Sequence, residues 1–371
     1  MKFRVERDVL ADAVAWAART LPSRPALPVL AGLVLTAEGD ALTLSSFDYE
    51  VSTRVELQVD VTTSGTTLVS GRLLADIARS LPAQPVVMES EGTRILITCG
   101  RSTFTLPTLP VEDYPQLPAM PATSGTVEGS LFAAAAAQVA IAAGRDDTLP
   151  TLTGIRVEIE GANIVLAATD RYRLAVREFI WQPDSPKIST NALIPARTLA
   201  ETAKALASVG QVFIALGDGL IGFEGNGRRT TTRLLDGEFP KYRTLLPSEA
   251  ATIALVDTAE LTDAVKRVSL VAERNTPVRL AFEGSEVVLR AGTGDDAQAS
   301  EAVACNITGD GLEIAFNPTY LLDGLASVDR AITRFSFTQS TRPAVLTGLT
   351  EANDKPSDEY RYLLMPVRLT G

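Results

Sequence analysis

The sequence has no histidine among its 371 residues and only two cysteines, Cys99 and Cys305. Histidine is the commonest general base and the usual partner of serine and cysteine nucleophiles, so an enzyme would have to rely on carboxylates or lysine. Two cysteines without histidine cannot complete a four-ligand structural zinc site. We therefore expect no structural metal and no cofactor, and two unpaired thiols in a reducing compartment.

Long apolar runs are also missing. The longest candidate, residues 133–143, is interrupted by Gln138 and falls short of the roughly 20 apolar residues that a membrane helix needs. The first residues carry charges at Lys2, Arg4 and Glu6, where a signal peptide would have its apolar core. These features predict a cytoplasmic protein without a membrane partner.

Basic residues are in the minority. The chain has 34 Lys and Arg against 45 Asp and Glu, a net charge of -11, and only 6 of the basic residues are lysine. Nucleic acid repels such a protein overall. A DNA-binding interpretation therefore requires the arginines to gather on one surface.

The chain does contain a threefold repeat. Each copy opens with a valine and an acidic residue, and an apolar residue follows five positions after the valine. The valines and their apolar partners are Val5 and Leu10, Val127 and Phe132, and Val256 and Leu261. Helical spacing of the following apolar residues predicts an amphipathic helix in each copy, with Asp8, Ser130 and Thr258 as N-caps.

A second helix is predicted later in each copy, at Leu74, Leu199 and Leu322. Alternating segments such as 42–46, 51–57 and 94–98 predict antiparallel strands. The sequence thus predicts an α+β chain of three similar sheet-rich modules, each with two helices. The modules are residues 1–121, 122–249 and 250–371, with linkers at 115–121 and 247–252.

Five segments along the chain closely resemble the bacterial DNA sliding clamps, the family of the beta subunit of the replicative polymerase III holoenzyme. They are residues 1–7, 24–30, 169–175, 239–243 and Met365-Pro366-Val367-Arg368-Leu369. The likeness runs from residue 1 to 369 with the segments in order, and this is more specific than any single motif.

The resemblance implies a head-to-tail homodimer whose six modules close a ring, with helices lining the hole. Twelve helices set 8 to 10 Å apart would leave roughly 23 Å clear, which admits a DNA duplex. Arg24, Arg72, Arg145 and Arg197 match family positions that face DNA. Pro150 and Thr151 stand where the family often has aromatic residues, so that loop departs from the pattern.

The resemblance also implies a hydrophobic groove that binds short linear peptides. Its expected partners are the polymerase III catalytic subunit, the clamp loader, and other polymerases and repair proteins. The positions that match the groove are Leu152, Thr169, Arg171, Tyr172, Arg173, Leu174, Pro240, Arg243, Leu245, Leu363, Met365, Pro366, Val367, Arg368 and Leu369.

The dimer interface is expected between the first module of one chain and the third module of the other. Phe104 and Leu106 match one side, and Leu270 and Val271 match the other. Arg94 and Arg101 are expected to face Glu301 at its rim.

Three alternatives remain open from the residues alone. The modules could be beads without a joint function, or a scaffold that binds partners without encircling DNA. A carboxylate-dependent hydrolase could use Asp146-Asp147 or Asp295-Asp296 with a divalent metal. The run 217–222 matches a dinucleotide-binding fingerprint, but a strand follows it, so we predict a hairpin turn.

Overall fold

The computed structural model describes residues 1–217, 219–247, 249–272, 276–292, 297–355 and 357–368. It divides into two compact units. The first holds residues 1–131, 182–185 and 201–234, and the second holds residues 132–181, 186–200 and 235–371. The predicted middle module is therefore shared between the two units, and the module limits at 121 and 249 stay predictions.

Each predicted module contributes two helices within the described residues. Residues 1–121 form helices α1 (Arg7–Ala17) and α2 (Gly71–Ser80) and strands β1 (Lys2–Val5), β2 (Gly32–Glu38), β3 (Ala41–Phe47), β4 (Val51–Gln58), β5 (Asp60–Thr63), β6 (Gly65–Ser70), β7 (Val86–Glu91), β8 (Arg94–Cys99) and β9 (Ser102–Leu109). Residues 122–249 form α3 (Gly129–Ala140) and α4 (Ala196–Ala205) and strands β10 (Thr123–Glu128), β11 (Gly154–Glu160), β12 (Asn163–Thr169), β13 (Arg173–Ile180), β14 (Gln182–Pro183), β15 (Ser189–Pro195), β16 (Gln211–Gly217), β17 (Leu220–Gly225) and β18 (Arg228–Arg233). Residues 250–371 form α5 (Thr258–Val268) and α6 (Pro318–Val328) and strands β19 (Thr252–Asp257), β20 (Val278–Glu283), β21 (Glu286–Ala291), β22 (Ala299–Thr308), β23 (Leu312–Phe316), β24 (Ile332–Phe337), β25 (Ala344–Leu349) and β26 (Tyr360–Leu364).

Helix α1 buries four of the five apolar residues that the sequence pattern selects, and the fifth, Val9, is 44% exposed. In α1, Leu10, Ala13, Val14 and Ala17 are at most 1% exposed, which is the helical spacing of one apolar face. Burying a leucine side chain contributes roughly 1.5 to 3 kcal/mol, so this face holds the helix on the sheet. The predicted α+β modules with two helices each are confirmed.

The predicted helix caps are wrong by one or two positions. Helix α1 begins at Arg7, which puts Asp8 in its first turn. In α3 the carboxylate of Glu128 accepts hydrogen bonds from the backbone N–H groups of Ser130 and Leu131. The carboxylate of Asp257 accepts from the N–H of Glu260 at 2.9 Å. The repeated acidic residue itself is the cap in these two helices, because it precedes the first helical turn.

The first unit contains a 14-stranded sheet in the order β14-β10-β16-β17-β18-β4-β3-β2-β6-β9-β8-β7-β1-β5. Strand β18 of the middle module pairs antiparallel with β4 of the first module, from Arg228 opposite Val55 to Thr232 opposite Val51. The backbone ladder thus continues from one module into the next. We call this pairing the first junction.

The second unit contains a 12-stranded sheet in the order β15-β11-β12-β13-β26-β25-β24-β19-β22-β21-β20-β23. Strand β13 pairs antiparallel with β26, from Arg173 opposite Leu364 to Arg177 opposite Tyr360. This pairing is the second junction. The middle module therefore contributes five of its nine strands to the first sheet and four to the second, a division that the sequence did not predict.

Two smaller predictions are confirmed. Cys99 and Cys305 are buried and unpaired. Strands β16 and β17 form an antiparallel hairpin with Gly217 opposite Leu220, so the glycine run there is a turn. Asp218 lies outside the described residues.

Candidate functional site

The candidate site is built on the turn between β12 and β13. The carboxylate of Asp170 accepts hydrogen bonds from the N–H groups of Tyr172 and Arg173, both at 3.0 Å. Thr169 donates its hydroxyl to the Arg173 carbonyl at 2.7 Å, and Arg171 has a positive φ of 77°. This tight turn leaves the side chains of Arg171 and Tyr172 exposed at the surface.

An apolar floor lies beside the turn on one face of the sheet. Leu174 on β13 is directly opposite Leu363 on β26, and Leu363 is directly opposite Val345 on β25. The members of this cluster are buried side chains of the sheet face and of residues 234–246, which follow β18 and are called the β18 linker below. They are Val165, Ala167, Leu174, Val176, Tyr242, Val345 and Leu363, with Phe239 and Leu246 packed against them.

The β18 linker is fastened to the sheet through Glu158. The hydroxyl of Tyr242 donates to the Glu158 carboxylate at 3.1 Å, and Arg243 donates to the same oxygen at 2.6 Å. Burial and the Glu158 charge raise the pKa of Tyr242, so its hydroxyl stays protonated and remains a donor. These contacts hold the β18 linker in place along one side of the apolar floor.

Two cavities border the β12–β13 turn, and the first of them opens on this floor. One has a volume of about 390 Å³ and is lined by Thr169, Arg171, Arg173, Leu174, Thr244, Leu245, Pro247, Thr338, Arg342, Pro343, Leu363 and Met365. The other has a volume of about 470 Å³ and is lined by Ala143, Gly144, Arg145, Asp146, Leu149, Leu152, Asp170, Arg171, Tyr172, Arg173, Thr319, Tyr320 and Asp323. Arg171 and Arg173 line both, so the two cavities are neighbours, and we call them together the groove.

The C-terminal tail starts at this groove, where Met365 lines the smaller cavity. The N–H of Met365 donates to the Tyr172 carbonyl at 2.9 Å, and the N–H of Val367 donates to the Ala315 carbonyl at 2.8 Å. The Tyr172 ring stacks on Tyr320 with centroids 6.3 Å apart. Leu369, predicted to belong to the groove, lies outside the described residues.

The side chain of Arg173 is a structural group and not a free rim arginine. It is only 5% exposed and forms ion pairs with Asp170 at 3.0 Å and Asp323 at 2.6 Å. Burial lowers the pKa of Arg173, but Tyr362 and the two carboxylates outweigh this and raise it overall. A resemblance assigns a position to the groove without telling whether its side chain points into the core.

The structure brings most predicted groove residues together, with some exceptions. Pro240, Arg243, Pro366, Val367 and Arg368 do not line either cavity in the described part of the chain. The sequence did not predict the wall contributed by α6 and by the β24–β25 turn. That wall consists of Thr338, Arg342, Pro343, Tyr320 and Asp323. No local motif marks these residues, because only the tertiary fold places them beside β13.

The four arginines predicted to face DNA are all exposed. Arg72 and Arg197 are each the second residue of their helix, α2 and α4, as the repeat predicts. Arg72 donates to the Pro22 carbonyl at 3.2 Å, which ties α2 to the loop that carries Arg24. Arg145 lies at the mouth of the larger groove cavity. Contact with DNA stays a prediction for these residues.

The residues predicted for the dimer interface lie near two incompletely paired strands. In the described residues, 102–107 of β9 pair only with β8, and 299–304 of β22 pair only with β21. Leu270 is 84% exposed, whereas Leu106 is 2% exposed and packs within its own module. Phe104 and Val271 are half-buried, and Arg94 and Arg101 are exposed. Glu301 is already paired with Arg267 of the same chain at 2.5 Å.

Comparison with known proteins agrees with this architecture. Family profiles of the DNA polymerase III beta subunit match along the chain: the N-terminal domain at residues 1–118, the central domain at 126–241 and the C-terminal domain at 243–368. The chain belongs to the DNA polymerase III beta subunit family. The beta sliding clamp of Streptomyces coelicolor is 60% identical over 100% of both chains.

Solved sliding clamps share the fold. A clamp from Bacillus subtilis is 28% identical with a TM-score of 0.92, and a clamp from Pseudomonas aeruginosa bound to griselimycin is 28% identical with a TM-score of 0.93. Both matches cover 100% of each chain. The resemblance to the bacterial clamp family is therefore confirmed, and the chain has the function of a DNA sliding clamp.

Members of this family are processivity subunits and not enzymes. Asp146, one of the candidate catalytic carboxylates, accepts hydrogen bonds from the hydroxyl and the N–H of Thr148, which lower its pKa. Asp295 and Asp296 lie outside the described residues. Across the described residues, no group of three or more Cys, Asp or Glu is arranged to hold a metal ion. No helix there is long and apolar enough to cross a membrane.

Proposed function

We propose that two copies of the chain close head to tail into a cytoplasmic ring around duplex DNA, and that the groove holds replication and repair proteins on that ring. The groove is the observation that supports the second half of this proposal. Its apolar floor at Leu174 and Leu363 and its two cavities suit a short linear peptide with hydrophobic anchors.

The dimer contact is proposed at the two incompletely paired strands. Residues 102–107 and 299–304 each present a row of backbone donors and acceptors along one edge. Antiparallel pairing of these edges would satisfy both rows and continue the sheet from one chain into the other. Leu270 lies three residues after Arg267, which is paired with Glu301 on β22, so this exposed leucine lies close to one of the edges.

Replacing Leu270 with aspartate should give monomers, because the change puts an unpaired charge at the apolar center of the contact. Light scattering measures the mass directly. Ile180→Asp is a matched control, since Ile180 is 66% exposed on β13, a strand that is paired with β12 on one side and β26 on the other. A Leu270→Asp variant that remained dimeric at the same concentration as the Ile180→Asp control would contradict the proposed contact.

Retention on DNA is proposed to be topological. A closed ring slides because its contacts carry no sequence information, and a basic inner surface at Arg24, Arg72, Arg145 and Arg197 is compatible with the overall charge of -11. Rings loaded on nicked circular DNA should persist and should leave when the circle is linearised. Equally slow release from linear DNA, with affinity that falls steeply as salt rises, would indicate ordinary phosphate binding.

The groove is proposed as a shared site for the polymerase III catalytic subunit, the clamp loader, and other polymerases and repair proteins. A peptide that buries about 300 Å² of apolar surface gains on the order of 7 kcal/mol before ordering costs, so net binding should be no tighter than micromolar and should exchange quickly. Removing residues 365–371 should abolish binding of an anchor peptide in titration calorimetry and leave the dimer intact. Unchanged affinity for the shortened chain would show that the tail is not a wall of the site.

A further inference from the structure

A row of polar residues crosses the sheet directly beside the apolar floor. We propose that this row, Arg334, Thr347 and Arg361, binds the side-chain carboxylate of an acidic residue in a peptide whose apolar anchors occupy the groove. The inference rests on the proposed function of the groove and adds a preference for the chemistry of the bound peptide.

The register of four strands fixes the position of the row. Leu174, Leu363, Val345 and Ser336 stand opposite one another across β13, β26, β25 and β24. Two residues further along the same strands stand Val176, Arg361, Thr347 and Arg334, a set in which Val176 opposes Arg361 and Thr347 opposes Arg334. Side chains two apart on a strand share a face and lie roughly 7 Å apart. An extended peptide has the same spacing, so neighbouring residues of one ligand can reach both rows.

Thr347 is the buried center of the row. It is only 3% exposed, and its hydroxyl has no hydrogen-bond partner in the described structure. A buried hydroxyl without a partner costs roughly 1 to 3 kcal/mol, which an incoming acceptor oxygen would relieve. Thr347 stands opposite Arg334 on β24, and Arg361 belongs to β26, the strand on its other side. A carboxylate is the acceptor that these two cations favour.

The two arginines retain donors for such a ligand. Arg334 is half-buried and donates to the hydroxyl of Ser336 at 2.6 Å, and no carboxylate forms an ion pair with it among the described residues. Arg361 donates one nitrogen to Glu178 at 2.6 Å, but its buried Nε has no partner there. Burial lowers the pKa of Arg334, while Asp358 opposes this at longer range. Glu178 and Asp358 therefore limit the net positive charge of the row.

The first junction contains the carboxylate that this row lacks. There, Glu224 stands opposite Arg229, next to the pair of Gly222 and Thr231. Glu224 accepts two hydrogen bonds from Arg229, at 3.0 and 2.8 Å. By position in the repeat, Thr347 corresponds to Glu224 and Arg361 corresponds to Arg229. The second junction thus keeps the arginine and has a hydroxyl where the first junction has its own acid.

The test compares two peptides with the same pair of hydrophobic anchors and an amidated C-terminus. One carries glutamates on both sides of the anchors, and the other carries glutamines there. Titration calorimetry with the intact dimer should show that the glutamate peptide binds the chain about fivefold more tightly, the range of a partly exposed charge-assisted contact.

Three variants locate the effect. Arg334→Gln should remove the preference, and Thr347→Glu should also remove it by supplying an internal carboxylate as Glu224 does in the first junction. Arg279→Gln removes a positive charge from an exposed position on β20 and should leave the preference unchanged.

Equal binding of both peptides to the unaltered chain would overturn the carboxylate site and leave the groove proposal standing. Binding of neither peptide would instead overturn the groove proposal, and with it the basis of this inference. A fivefold preference that survived in both Arg334→Gln and Thr347→Glu would place the recognition of the acid elsewhere on the molecule.

Discussion

The two junctions have the same backbone and different surfaces. In each, a turn with an aspartate cap precedes the joining strand: Asp48 accepts from the N–H of Val51, and Asp170 accepts from the N–H of Arg173. The turns share a positive φ, 76° at Tyr49 and 77° at Arg171. The repeated backbone therefore sets the pairing between modules, whatever side chains the strands carry.

The faces of the two junctions differ in chemistry. Ser52 opposes Thr231 at the first junction, where Leu174 opposes Leu363 at the second. The first face borders a cavity of about 720 Å³ that is lined mainly by hydroxyls, Arg54, Arg229 and glutamates, with Leu117 to Met120 of the linker at its edge. The first junction therefore has a polar surface, which we call the polar seam, and the second has the apolar floor. Only the second suits hydrophobic anchors.

The largest expected difference concerns Arg173, which corresponds to Val51 at the first junction. Arg173→Met should lower the free energy of unfolding by about 3 kcal/mol, because Asp170 and Asp323 lose their buried counter-ion. Val51→Met should lower it by less than about 1.5 kcal/mol. Urea unfolding of the two variants measures the contrast. Equal losses would show that the ion pairs of Arg173 add no specific stability.

The next difference is in peptide binding. Leu174→Lys should weaken an anchor peptide at least 100-fold, about 2.7 kcal/mol, by placing a charge on the apolar floor. Ser52→Lys makes the same change at a comparably buried position of the first junction and should leave affinity unchanged. Calorimetry on both dimers measures the two effects. Loss of binding in Ser52→Lys would mean that the polar seam also contacts the ligand.

A smaller difference in stability is expected between the β18 linker and the linker 115–121. Tyr242 corresponds to Leu117 in the repeat and adds a hydrogen bond to Glu158. Tyr242→Phe should lower the free energy of unfolding by about 1 kcal/mol, since Arg243 still pairs with that carboxylate. Thermal unfolding provides the measurement, with Leu117→Met as the control at the first linker. An unchanged melting temperature for Tyr242→Phe would assign the fixing of the β18 linker to Arg243 alone.

The smallest expected effect is a gain in stability. Thr347→Val removes a buried hydroxyl that has no partner and should raise the free energy of unfolding by about 0.5 to 1 kcal/mol. Glu224→Gln at the corresponding position should lower it slightly, because a partly exposed ion pair is lost. Both changes are measured by urea unfolding. A destabilised Thr347→Val variant would show that the hydroxyl already has a stabilising partner, such as a bound water.

Much of this fold was predictable from the sequence, because the repeat is visible in it. The opening of each module, the helices around Leu74 and Leu199, and the strands around 42–46 and 51–57 follow from apolar periodicity, which reports which face of an element is buried. The pairing of β18 with β4 and of β13 with β26 was not predictable in this way. Alternation of apolar and polar residues shows that a strand has one buried and one exposed face, but it does not show which strand pairs with it.

The sequence predicted which residues lie at the candidate site better than it predicted where their side chains point. The resemblance placed Leu174, Leu363 and Met365 on one surface, and the structure brings them together. It could not show that Arg173 is buried in ion pairs or that Leu106 packs inward, because burial depends on neighbours distant in sequence. Thr347 and Arg334 carry no local signal at all, since their environment arises only when β24, β25 and β26 lie side by side.

The continuous ladder at the first junction also bears on what happens when the chain is cut. The linker from Pro115 to Pro121 has no helix or strand, so it is a natural target for proteases. Cleavage there would break the covalent chain and leave the five residue pairs between β4 and β18 in place. A nicked molecule would still travel as one particle in gel filtration and separate into fragments only on a denaturing gel.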